Sequence, residues 1–221
     1  MAVTVVVTNY LRPENLHGLI ETLSRQTVEA QIFVWDNSPT QDFYDPRVDW
    51  MIRSSKNARC APRWWMASHA ETEFVLIHDD DLMPSHPKVL AWTLDAAVRA
   101  APFAIGAAGV ILKPNAGYWQ SRHVGIRADR IRRDTRVDIV KGCYFCSPTV
   151  QLTKIGYLDF DGEDDIAVSA KLGRRVERPH TVTARLLTSL ALLQEGEGAR
   201  KHRRNHRAAR EAARRRYFRS V

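Results

Sequence analysis

Asp79, Asp80 and Asp81 follow directly on the apolar run Phe74-Val75-Leu76-Ile77-His78. Three adjacent carboxylates repel one another, and such a cluster is costly unless a cation neutralises it. The preceding run reads as a strand, and parallel α/β sheets bind ligands at the carboxyl ends of their strands. Asp79 and Asp81 would lie on the same side of an extended backbone, an arrangement suited to a divalent metal that holds a diphosphate. The plain alternative is a solvated acidic turn. A second acidic cluster, Gly162-Glu163-Asp164-Asp165, opens a helical pattern. Acids in a first helical turn often serve only as caps and dipole partners. They also suit general-base work, because a carboxylate there stays ionised and can take a proton from an attacking hydroxyl.

The turn Thr8-Asn9-Tyr10-Leu11-Arg12-Pro13 contains no glycine. It is therefore neither a Walker A loop nor a dinucleotide-binding GxGxxG turn. Thr8 and Asn9 can still bond a nucleobase edge, and Arg12 can reach a phosphate. Asp36 ends the second apolar run, a position suited to a ribose or base contact. Each of these is also ordinary turn chemistry. Cys143-Tyr144-Phe145-Cys146 has CxxC spacing, but zinc would need two further ligands and Cys60 is far away in sequence, so free buried thiols are expected. His180 is either a structural histidine or, if the acidic triplet holds a metal, a further ligand.

These residues need a scaffold, and the hydrophobic pattern supplies one. Val3–Thr8 reads as a buried strand. Pro13 suits a helix start, with Leu16, Leu19, Ile20 and Leu23 at helical spacing. Ala30–Trp35 is a second strand closed by Asp36-Asn37-Ser38-Pro39. Strands over 49–54, 73–78 and 103–112 alternate with helices over 59–70 and 87–100. That alternation predicts an α/β fold with a mostly parallel sheet. Residues 113–138 lack a period and read as a long functional loop or an excursion from the sheet. A strand over 137–141, a helix over 163–172 and a helical pattern over 181–193 follow. Residues 194–199 (QEGEGA) form a hinge-like break before a basic tail.

The chain has 221 residues, 44% hydrophobic and 26% charged, an ordinary globular composition that excludes a disordered or fibrous chain. No apolar run approaches a membrane span. The apolar start has no basic region before it, and three cysteines are too few for a disulfide scaffold, so a cytoplasmic setting is expected, in a bacterial cell or a phage-infected host. The net charge of +8 is unevenly spread. Residues 199–221 hold ten Lys/Arg against one Glu, which leaves the body close to neutral. Arg200, Arg203, Arg204, Arg207, Arg210 and Arg214 recur at near-helical spacing with alanines between them. A solvated helix, an anionic lipid surface and a nucleic acid all fit; arginines spread along a helix can track phosphates without an apolar face.

The order VTVVVTNYLRPENL, VWDNS, KNARCAPRW, FVLIHDDDLMPS, IVKGCYF, GEDDIAVSAKLG resembles the nucleotide-diphospho-sugar (GT-A) glycosyltransferases, particularly the family 2-like and exostosin-like members. The resemblance covers about residues 3–182. It implies a single GT-A domain over 1–193, with 194–221 as hinge and helical tail. It implies that Thr8, Asn9, Arg12 and Asp36 line a uridine pocket and that Asn57 and Arg63 approach the donor. Asp79 and Asp81 would be the DxD pair and Asp80 would lie at the nucleotide-sugar, with Asp81, Asp79 and His180 as ligands of Mn²⁺ or Mg²⁺. Gly142 would allow close approach beside the acceptor. The acidic pair fits in two registers, one making Asp165 the key carboxylate and the other Asp164; matching Val168 and Ser169 to the family pattern favours Asp165. One departure is the short span after this helix, which leaves no large acceptor domain.

The implied reaction is sugar transfer from a nucleotide diphosphate, UDP foremost, to a hydroxyl. Inversion suits a carboxylate base, whereas an exostosin-like member would retain configuration. The basic tail beside a neutral body suggests a hydroxyl on nucleic acid, such as a hydroxymethylated base in DNA, which would have to leave the stack. Cell-envelope glycan or lipid is the alternative acceptor. A non-catalytic, nucleic-acid-tethered GT-A-like module is the rival from another class. A nucleotidyltransferase would carry a Gly-rich phosphate loop near the first strand, and none is present.

Overall fold

Successive side chains of the first strand pack on opposite faces of a central sheet. Val5 and Val7 join a core with Leu16, Leu19, Ile20 and Leu23, while Val6 joins a second core with Trp64, Met66 and Ala67. A strand covered on both faces needs an unbroken apolar run, which is why residues 3–8 do not alternate. The computed structural model describes residues 1–40, 43–155, 164–173, 176–193 and 203–218, the last segment with side chains from His206 onward.

The chain begins β1 (Val3–Asn9), α1 (Pro13–Ser24), β2 (Ala30–Asp36), β3 (Trp50–Arg53), α2 (Pro62–Ala67), β4 (Phe74–Asp79), β5 (Leu82–Pro84) and α3 (Val89–Ala100). It continues β6 (Ile105–Gly106), β7 (Ala108–Ile111), β8 (Arg122–Gly125), β9 (Thr135–Val137), β10 (Ile139–Val140), β11 (Tyr144–Pro148) and α4 (Thr149–Ile155). After α5 (Asp164–Leu172) come β12 (His180–Val182), α6 (Ala184–Ser189), β13 (Leu190–Leu192) and a last helix, α7 (Arg203–Tyr217). Among the described residues the main sheet has eight strands in the order β3-β2-β1-β4-β11-β6-β12-β9. The β3-β2-β1-β4 half is parallel, and β11 then runs antiparallel to β4 and β6. A three-stranded sheet, β10-β7-β8, and a β13-β5 pair complete the framework. No described helix is long and apolar enough to cross a membrane.

Helix α1 starts with Pro13 in its first turn, where a missing N–H costs nothing. Its four buried aliphatic side chains lie on the sheet, each worth about 1.5–3 kcal/mol of burial. β1 pairs with β2 on one side and β4 on the other, so the strand order reverses at β1. The crevice outside such a reversal is where open α/β sheets bind ligands.

Three expected elements differ. The run 103–112 is two strands, not one: β6 belongs to the main sheet and β7 to the small one. The expected strand over 137–141 is likewise split, with β9 ending at Val137 and β10 covering Ile139–Val140. The helical pattern over 181–193 is a strand, a six-residue helix and a second strand. The aperiodic segment 113–138 is an excursion that holds β8 and β9. The expected hinge over 194–199 lies outside the described residues.

Candidate active site

The ends of β1, β2 and β4 are in register, Asn9 opposite Asp36 and Thr8 opposite Asp79. Asn9 Nδ2 donates to Asp36 Oδ1 (2.8 Å) and to Ser38 Oγ (3.0 Å), and Ser38 N donates to the same Asp36 oxygen (2.9 Å). Ser38 Oγ also accepts from Leu11 N (3.0 Å). Leu11 has a φ of 60°, a left-handed conformation that a side chain normally avoids. The glycine-free turn is thus held in a strained shape by its neighbour strand. A cleft of about 590 Å³ opens here, lined by Asn9, Leu11, Asp36, Ser38, Phe43 and Tyr44 among others. Asn9 Oδ1 and Asp36 Oδ2 are buried and have no hydrogen-bond partner. An unpaired buried acceptor is costly, and two of them at a cleft suit a ligand that brings N–H or O–H donors. Thr8 Oγ1 is unpartnered as well.

The acidic triplet is matched by arginines. Arg63 Nη1 donates to Asp79 Oδ1 (2.8 Å), and Arg12 Nη1 donates to Asp80 Oδ1 (2.7 Å). Asp81 Oδ2 takes Arg12 Nη1 at 3.3 Å and Arg127 Nη2 at 2.9 Å. Burial pushes Asp79 up to about 6, against the pull of Arg63, and Asp80 up to about 7, against that of Arg12. In both, the loss of water outweighs the arginine that the carboxylate holds.

Among the described residues no three His, Cys, Asp or Glu side chains converge as a metal cage. Asp81 Oδ1, however, is buried without a partner. A hard cation that shares its shell with diphosphate oxygens needs only one or two protein carboxylates. Asp81 through Oδ1, with Asp79 beside it, fits that requirement.

The second acidic pair stands across Arg63. Asp164 Oδ2 accepts from Arg63 Nε (3.1 Å), from Arg63 Nη2 (2.8 Å) and from Trp64 Nε1. Asp165 Oδ2 accepts from Gly142 N (3.1 Å) and Arg210 Nη2 (2.8 Å), while Oδ1 accepts from Ile166 N (2.9 Å). Burial works to raise Asp165, but the charge and hydrogen bond of Arg210 and the Gly142 N–H outweigh it and hold the carboxyl below its ordinary value. Gly142 is required by space: a Cβ built there would collide with Arg63 Nη2 and touch Asp165 Cβ.

Some expected roles change. His180 is fully buried; Nδ1 accepts from Ala104 N (3.1 Å) and Nε2 donates to Ser169 O (2.9 Å). With both nitrogens engaged it has no lone pair for a metal, and the ligand role is withdrawn. Arg210 is buried on Asp165, so it cannot reach a nucleic-acid phosphate as expected. Arg12 points into the acidic cluster. Asn57 Oδ1 caps Arg59 N (2.8 Å), which shapes its own loop. Arg207 lies over the Trp119 ring. Arg200 and Glu163 lie outside the described residues, as do the side chains of Arg203 and Arg204. Cys60, Cys143 and Cys146 are free thiols.

Sequence reasoning missed Arg127, Trp64 and Tyr118. Arg127 sits at a φ of 63° just after β8, in the segment that has no periodicity. The one available signal was the number of arginines in a stretch otherwise read as loop.

No family model and no curated protein matches the sequence. Solved structures do match. A mannosyltransferase, PcManGT from Pyrobaculum calidifontis in complex with GDP-Man and Mn²⁺, superposes with a TM-score of 0.56 at 16% identity, over 82% of this chain and 56% of that one. S. aureus TarS gives 0.60 at 16% identity, over 83% of this chain and 35% of that one. A TarS 1-349 structure gives 0.59 at 15%, over 83% and 58%. The chain thus spans roughly a third to three-fifths of the length of these structures. At this identity the likeness concerns architecture, and the architecture is the GT-A fold of nucleotide-sugar glycosyltransferases.

Proposed function

We propose that the protein transfers a sugar from a nucleotide diphosphate, UDP foremost, to an acceptor hydroxyl with inversion. The observation that carries this reading is Arg63, which donates to Asp79 of the strand-end triplet and to Asp164 of the helix-start pair, each at 2.8 Å. It brings two acidic clusters 85 residues apart in sequence to one site. The bound partners of the mannosyltransferase neighbour, GDP-Man and Mn²⁺, belong to the same chemistry.

In this reading the base and ribose enter the cleft at Asn9 and Asp36, whose free oxygens accept their N–H and O–H groups. Asp81 and Asp79 would hold Mn²⁺ or Mg²⁺, which offsets charge on the departing diphosphate when bound. Arg63 and Arg127 lie beside the same carboxylates and can pass hydrogen bonds to phosphate oxygens. Asp165, ionised at neutral pH, takes the proton of the acceptor hydroxyl as that oxygen attacks the anomeric carbon and the bond to the nucleotide breaks. The acceptor we propose bears phosphates, a modified base in DNA being the form suggested by the basic tail. Arg207, Arg215 and Arg216 on exposed parts of α7 support it.

The test is a thermal-shift panel of UDP-, GDP- and dTDP-sugars with Mn²⁺, on wild type and Asp81→Ala. Stabilisation by one nucleotide class that is lost in the variant supports the reading. Equal binding by both proteins removes Asp81 from the cation site.

A further inference from the structure

We infer that Arg210, on the C-terminal helix, is the positioning residue for the catalytic base Asp165, so that α7 is part of the active site and not a separate tether. The inference rests on the reading of Asp165 as the base and adds the element that sets its state.

A guanidinium taken out of water needs a carboxylate with good geometry, or it destabilises the fold. Arg210 has one: Nη2 reaches Asp165 Oδ2 at 2.8 Å and Tyr118 Oη at 2.7 Å. The helix that carries it is anchored by other contacts too. Glu211 Oε2 accepts from Tyr118 N (2.6 Å), and the Arg207 carbonyl accepts from Trp119 Nε1 (3.3 Å). Ala213 is buried with Val110, Leu112, Ile139 and Ile166. Ile166 directly follows Asp165, and a small side chain at 213 lets the two helices approach closely. The placement of Arg210 is therefore set by packing around the base.

The consequence for Asp165 is geometric. Oδ2 receives two donors and Oδ1 one, so Oδ1 keeps the open acceptor position among the described contacts. The carboxylate cannot rotate without breaking those bonds, and the open lone pair has a fixed direction. Several other groups face Asp165. They are Arg63 and Cys60 from the α2 side, Lys141 and Cys143 from the segment between β10 and β11, Tyr118, and His206 of α7. Asp164 is its chain neighbour. Of the cations, only Arg210 donates a hydrogen bond to it among the described contacts.

The test uses the full chain and needs no substrate at first. The Asp165 carboxyl is titrated by ¹³C NMR in wild type, Arg210→Met and Arg210→Lys. The expected result is an Asp165 proton affinity at least about tenfold higher in Arg210→Met, with a smaller change in Arg210→Lys. If Arg210→Met fails to fold, the lysine variant carries the comparison: its shorter reach and single point charge, without the planar fork, still predict a measurable rise. An unmoved titration in the folded variant overturns the inference. Where a nucleotide sugar turns over, the acid limb of the kcat profile moves to higher pH in Arg210→Met with KM nearly unchanged. A purely structural role would lower stability and leave that limb in place. Full turnover by Asp165→Asn would instead sink the base assignment, while the carboxyl titration would still report whether Arg210 controls Asp165.

Discussion

Arg63 holds Asp164 with two nitrogens on one oxygen, Nε at 3.1 Å and Nη2 at 2.8 Å, across 101 residues of sequence. Both side chains are almost entirely buried. Breaking such a pair leaves a charge stranded in a poorly solvated site. Arg63→Met is therefore expected to lower unfolding stability by about 3–5 kcal/mol in urea titrations. Gly142→Ala pushes a methyl against the same guanidinium and is expected to cost about 1–3 kcal/mol. Wild-type stability in both variants would contradict the arrangement.

Burial holds the His180 imidazole at about 4, far below its ordinary value. An unfolded histidine protonates near pH 6.5. Between those values the unfolded chain binds the extra proton, so stability is lost as pH falls from about 6.5 towards 4. His78, also buried and held at about 4, acts in the same direction. His180→Gln is expected to melt at a lower temperature than wild type at pH 7 but to lose less on going to pH 5. Calorimetry at the two pH values measures this. Equal losses would show that His180 titrates normally in the fold.

Among the described side chains of α7, Arg207, Arg215 and Arg216 are exposed and could meet the proposed anionic acceptor, whereas Arg210 is committed to Asp165. Arg207 packs over Trp119, Arg215 lies 3.5 Å from Glu211, and Arg216 packs over Tyr217, and all three remain exposed. Replacing these three by Gln should reduce the salt slope of duplex-DNA binding by about 2–3, at a little under one per lost phosphate contact. An unchanged slope would take phosphate contacts away from this helix. Transfer confined to oligosaccharide or lipid acceptors would move the function to envelope synthesis.

The first half of the chain was legible because its signals are local. Short β-branched runs alternate with helical spacing, and Asp36 and Asp79 stand where those runs stop. The second half was not. Residues 103–112 form one apolar run, but the chain leaves the main sheet between Gly106 and Ala108, and nothing in the run says which partner strand each half will find. Residues 181–193 are apolar in a way that suits a helix or two short strands, and the pairing of β12 with β6 and of β13 with β5 decides it. The tail was legible only in part. Its arginines suggested solvent and phosphate, whereas among the described residues its docking also uses buried Ala213, Glu211 on Tyr118 N and Arg210 on Asp165. Asp165 is preferred over Asp164 only through the family resemblance, which brings Val168 and Ser169 into step; nothing in the sequence pairs it with Arg210, 45 residues further on.

In the proposed reaction Asp165 is the group that takes the acceptor's proton. The most direct measurement is nucleotide release by Asp165→Asn, using the nucleotide sugar that best stabilises the protein with Mn²⁺. The expected result is turnover reduced at least about 100-fold, with donor affinity close to that of wild type, because the amide oxygen can still accept from Gly142 N and Arg210 but cannot take the proton. Turnover within about twofold of wild type, with the donor still bound, would contradict it.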